Sequence, residues 1–92
     1  MTRAEAAVPE IWPEHIEWDD HNLEHATRHG VSAAEVDQVL NSGPKYYRNR
    51  KGRSGDLVAI GLTRGGRTVV VVVEWRPATA VMRPITAWEE GA

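Results

Sequence analysis

The chain has 92 residues, no cysteine and a formal net charge of −2. That length supports one small core and leaves little to spare for a deep catalytic cleft; the missing cysteines exclude disulfides, thiolate nucleophiles and thiolate-held metals. The longest aliphatic run, residues 69–73, is far short of the ~20 residues of a membrane helix. Residues 1–10 carry acids and no apolar stretch of a signal peptide, and an unstapled domain of this size points to the cytoplasm.

The charge is divided along the chain. Residues 1–40 hold nine acidic side chains against Arg3 and Arg28, while residues 45–67 hold seven basic ones against Asp56. A basic section of this kind suits a phosphate-bearing or acidic partner; two solvated faces are the plainer alternative.

Residues 1–14, broken by Pro9 and Pro13, read as a flexible lead-in to a single domain. A short extended piece at residues 15–18 comes next, with Ile16 and Trp18 pointing one way. Asp19 or Asp20 caps a helix reaching about His29, with Leu23 and Ala26 inward and Gly30 ending it. Ser32 and Glu35 form a capping box for a second helix, whose apolar stripe is Val36, Val39 and Leu40. Residues 41–44 stop it.

The period then changes. Residues 45–50 read as a polar edge strand and residues 51–55 as a turn. Residues 57–63 alternate, with Leu57, Ala59 and Gly61 on one face and Val58, Ile60 and Leu62 on the other. Gly65 and Gly66 suit a primed hairpin turn. Residues 68–75 form a valine strand buried on both faces. Arg76 and Pro77 turn the chain into a last strand over residues 78–88, where Pro84 belongs at an edge or a bulge. The fold class is therefore α+β: a short strand, two helices and an antiparallel meander of three or four strands packed on them.

Two groups of side chains could carry chemistry. His21, His25 and His29 recur every four residues and form one helical stripe. A metal site, an acid–base role and a solvated polar face all fit that spacing. Arg48, Arg50, Lys51 and Arg53 cluster with Tyr46 and Tyr47, and Arg64 and Arg67 flank the next turn. Guanidinium groups pair with phosphate oxygens and tyrosine rings stack on unpaired bases, which fits single-stranded RNA. A charged edge strand that resists aggregation fits as well. Trp18, Trp75 and Trp88 fall at strand positions and read as core.

The stretch Ile16-Glu17-Trp18-Asp19-Asp20, then Asn22-Leu23-Glu24-His25, Arg28-His29-Gly30-Val31 and Glu35-Val36 resembles the BrnT family of bacterial toxins. The basic section from Arg48 to Arg53, Val58-Ala59-Ile60-Gly61, the valine strand and Arg83-Pro84-Ile85-Thr86-Ala87 extend the resemblance over roughly residues 15–88. It implies a RelE-like fold and a type II toxin–antitoxin endoribonuclease that cuts RNA to arrest translation without a metal or other cofactor. His25 or His29 would move a proton. Arg48, Arg50, Arg53 and Arg83 would stabilise phosphorane charge, and Tyr46, Tyr47, Lys51 and Arg64 would help to hold RNA. The implied partner is a ribbon-helix-helix antitoxin, with DNA met only through it; a homodimer is compatible. A non-catalytic domain of the same type that binds such an antitoxin is the alternative.

Overall fold

The structure is a computed structural model that describes residues 11–50 and 55–91. Its elements are β1 (His15–Ile16), α1 (Asp20–Ala26), α2 (Ala33–Leu40), β2 (Lys45–Arg48), β3 (Leu57–Leu62), β4 (Thr68–Arg76) and β5 (Val81–Glu89). The α+β expectation holds. One five-stranded mixed sheet has the order β1-β5-β4-β3-β2, in which β2 to β5 are an antiparallel meander and β1 runs parallel to β5. The two-residue β1 places Ile16 beside Met82 and so fixes where α1 begins.

Alternation sorts the sheet residues into two faces. Tyr46, Leu57, Ala59, Val69, Val71, Val73, Met82 and Ala87 join Val36, Val39 and Leu40 of α2 in one core. Gly61 lets α2 sit close, since a Cβ there would lie 3.0 Å from the Pro44 Cβ and 3.3 Å from the Val39 Cγ1. The valine strand is buried on both faces, as its composition predicts: residues 69–73 are buried throughout.

Capping follows the sequence closely. Asp19 accepts the Asn22 N–H at 2.9 Å while Asn22 Oδ1 accepts the Asp19 N–H at 2.7 Å. Ser32 and Glu35 make the same reciprocal pair at α2. The first helix, however, ends at Ala26 rather than near His29. Thr27 Oγ1 donates to the Leu23 carbonyl at 2.7 Å, and residues 27–29 form a turn closed by Gly30 at φ +85°. Leu23 faces outward at 41% exposure, against its expected inward position; Asn22 and Ala26 are the buried pair.

The reason is how α1 docks. It lies against the edge of β5, where backbone polar groups need partners, rather than over an apolar sheet face. Pro84, which cannot donate, sits at a register shift: Val72 pairs with Thr86, and Val73 pairs with Pro84, leaving Ile85 as the bulged residue. This is the edge-or-bulge position its ring requires. Asn22 Nδ2 donates to the Pro84 and Glu17 carbonyls, both at 2.9 Å.

The hairpin between β3 and β4 also differs from expectation. Thr63 and Arg67 close a three-residue loop in which Gly66 (φ +88°) donates to the Thr63 carbonyl. This is a turn followed by a left-handed residue rather than a two-residue primed turn, so one glycine takes the positive φ. Gly55 is more constrained. At φ +82°, a Cβ would lie 2.7 Å from Val72 Cγ1 and 3.0 Å from the Val73 oxygen.

Replacing Asn22 by Ala removes three hydrogen bonds and leaves the buried Pro84 carbonyl without its Asn22 donor. The expected loss is about 2–3 kcal/mol, read from the urea midpoint. Leu23→Ala in the same helix should cost less than about 1 kcal/mol because its side chain is exposed.

Candidate nucleic-acid interface

The second face of the sheet carries Tyr47, Val58, Val72 and Thr86 in one cross-strand row, and Lys45, Ile60, Val70 and Trp88 in the next. An open groove of about 580 Å³ crosses this face, lined by His25, Asn49, Arg50, Val58, Val72, Ile85, Thr86 and Trp88. The helix α1 forms its rim at the β5 edge.

His25 is held by the bulge. Its Nδ1 lies 2.8 Å from the Ile85 carbonyl oxygen. A carbonyl only accepts, so Nδ1 carries the hydrogen in this contact. In the neutral ring, Nε2 is then the lone-pair nitrogen, available as a proton acceptor. His25 also borders a smaller depression of about 190 Å³ with His21, Asn22, Arg83 and Ile85. The His21 and His25 rings stack with centroids 6.5 Å apart.

Arg50 enters the groove from the chain beyond β2. Its N–H donates to Asn49 Oδ1 at 2.9 Å, and the Asn49 N–H donates to the Asp56 carbonyl at 3.0 Å. These contacts tie the start of the basic section to β3. The Asp56 carboxylate in turn accepts the Trp75 N–H at 2.9 Å. His25 and Arg50, 25 residues apart in the chain, are therefore brought to one groove.

Other expected site residues go elsewhere. His29 is exposed in the turn after α1. Arg48 is exposed at the end of β2, and its pairing with Leu57 puts it on the helix-side face, away from the groove. Tyr47 is half-buried on the groove's face, whereas Tyr46 is 3% exposed in the core. The Tyr46 hydroxyl lies 3.6 Å from Met82 Sδ, and burial pushes its pKa up to about 12. It offers no ring face to a base, which corrects the stacking role expected for it. The cause is period 2: in adjacent tyrosines on a strand, one must face the core. Lys51 and Arg53 lie outside the described residues.

Arg64 is exposed at the hairpin, where its N–H donates to Gln38 Oε1 at 3.0 Å. Its neighbour Arg67 is held by Glu35 at 2.8 Å and Glu89 at 3.1 Å. Arg83, 16% exposed in its side chain, pairs with Asp19 at 2.6 Å and Glu17 at 3.4 Å. Its hydrogen bond to Asp19, aided by the Asn22 N–H, holds that carboxyl down to about 2. Arg83 is thus committed to α1's cap and is not an unpaired phosphate clamp.

Two groove residues escaped the sequence reading. Asn49 gave no signal beyond its place between two arginines. Trp88 was expected in the core and is instead 40% exposed. The bulge at Ile85 is the missing information, because one extra residue changes which of the later β5 side chains face α2. Among the described residues, no three His, Asp or Glu side chains converge to hold a metal ion. No described helix is long and apolar enough to cross a membrane.

No protein-family model matches this chain, and neither curated proteins nor solved structures give a similar one.

Two outcomes test these placements. Tyr46→Phe should leave stability within about 1 kcal/mol, measured by urea unfolding. Asp19→Asn keeps a capping side chain and loses the Arg83 pair. A carboxylate with a depressed pKa stabilises above its ordinary value and loses that effect as pH falls through the folded one. The wild-type advantage in Tm should therefore be full above about pH 4 and vanish toward pH 2.

Proposed function

We propose that this chain is a metal-independent endoribonuclease, the toxin component of a type II toxin–antitoxin pair acting in the cytoplasm. The observation that carries this reading is the meeting of His25 and Arg50 in one open groove, with Nδ1 of His25 already engaged by the Ile85 carbonyl. The family resemblance in the sequence supports it independently, through the segment that builds α1 and its cap.

The chemistry follows from those groups. His25 Nε2 accepts the proton of a ribose 2′-OH, and the 2′-oxygen attacks the adjacent phosphorus. Arg50 pairs with the non-bridging oxygens, whose negative charge grows in the pentacoordinate transition state. The bond to the 5′-oxygen breaks, that oxygen takes a proton from water, and a 2′,3′-cyclic phosphate remains. No step in this scheme calls for a metal ion. A ribbon-helix-helix antitoxin would neutralise the enzyme.

A second reading has an observation of its own. Leu62 and Trp88 are exposed on the groove's side of the sheet, beside the half-buried Val58 and Ile60. This apolar surface favours a non-catalytic domain that binds an antitoxin-type protein.

Incubation of the purified protein with RNA in EDTA separates the two. Cleavage that leaves cyclic phosphate ends is expected. His25→Asn, whose amide keeps a donor for the Ile85 carbonyl but lacks the base, should slow it by about 10²–10⁴-fold. Arg50→Ala should slow it by about 10²-fold or more. Cleavage unchanged in both variants would remove this groove from the mechanism. Folded wild-type protein that cuts neither free RNA nor RNA on ribosomes would favour the binding reading.

A further inference from the structure

The Trp88 indole is 40% exposed. It stands on β5 opposite Val70, on the sheet face away from the core that α2 covers. Val70 and Val72 below this surface are nonetheless buried, so the groove has a closed aliphatic floor beneath an open aromatic wall. Trp88 lies three residues beyond Ile85, about 10 Å along the strand, and Ile85 is the residue that holds His25. An indole, a histidine base and a guanidinium thus share one depression.

Resting on the ribonuclease reading, we propose that Trp88 is the stacking platform for a base of single-stranded RNA, next to the phosphate held by His25 and Arg50. Three observations favour RNA over an apolar peptide as the occupant. The groove's charged side chain, Arg50, is cationic. Lys45 adds a positive charge in the same cross-strand row as Trp88. Finally, the described acids that pair with arginines, Glu17, Asp19, Glu35, Glu74 and Glu89, do not line the groove. Every base has a π-face, so a platform of this kind gives affinity without demanding one sequence. Trp88 does not touch the reacting atoms; it positions the substrate, and it takes the role that the buried Tyr46 does not fill.

The test uses a short, dye-labelled 2′-O-methyl oligoribonucleotide of mixed sequence, which can bind but lacks the attacking hydroxyl. Anisotropy titrations compare the wild type with Trp88→Phe, Trp88→Leu and Trp88→Ala, each checked for folding by its urea midpoint. The expected result is binding by the wild type, retained within about threefold by Trp88→Phe. Trp88→Leu and Trp88→Ala should bind about tenfold or more weakly. Loss in the leucine variant matters most, because leucine keeps apolar bulk and removes the ring. Wild-type binding equalled by folded Trp88→Leu and Trp88→Ala overturns the platform while leaving the ribonuclease reading intact. An absence of wild-type binding overturns the platform, and the cleavage assays on free RNA and on ribosomes decide the ribonuclease reading separately. Self-association of the wild type that Trp88→Ala abolishes, without oligonucleotide binding, assigns this face to protein contact and also overturns the platform.

Discussion

The fold depends on how the outer edge of β5 is closed. A strand that carries a proline and a bulge cannot present a regular ladder to another strand, and its carbonyls must find donors elsewhere. Asn22 and His25, one helical turn apart on α1, face the carbonyls of Pro84 and Ile85. The edge is therefore closed by side chains. Everything upstream serves that arrangement. The two-residue β1 aligns the chain on β5, Asp19 caps α1, and Asn22 serves the cap and the edge at once. The bond that closes the edge also fixes which nitrogen of His25 stays open for chemistry.

Charge is distributed to suit this plan. The acidic first part of the chain is partly neutralised by arginines from its end: Arg83 and Arg76 meet Glu17, and Arg83 meets Asp19. Arg67 joins α2 to β5 through Glu35 and Glu89. These pairs are partly exposed, so each contributes little alone. Their value lies in geometry, since they tie helices to strands distant in sequence. They also keep several acids engaged away from the groove that Arg50 enters.

Much of the fold was legible because it rests on local rules. Ser32 with Glu35, the alternation over residues 57–62 and the all-buried valine strand each follow from spacing alone. Asp19's cap was legible too, although its partner at the third helical position is Asn22, not an acid. What could not be read was tertiary. The parallel pairing of β1 with β5 joins segments some 65 residues apart and leaves no periodic trace. The outward turn of Leu23 follows from α1 meeting a strand edge instead of an apolar face. The site was legible in residue type and less so in selection. The sequence offered histidines at 21, 25 and 29 and a run of arginines; the bulge at Ile85 singles out His25, and the end of β2 at Arg48 frees Arg50 from the strand's alternation and lets it reach the groove. Tyr46 and Trp88 exchanged expected roles for reasons of strand parity and bulge.

The docking of α1 has a further consequence for cooperativity. This seven-residue helix is held largely by capping and polar edge contacts, with Ala26 its buried apolar side chain. The valine core lies with α2 on the sheet. Segments with little apolar burial open at lower free energy than the whole molecule. Each opening of α1 would carry His25 away from Ile85 and dismantle the groove's rim while the sheet stays intact. On warming, a local equilibrium at one strand edge then governs how long His25 stays at the groove.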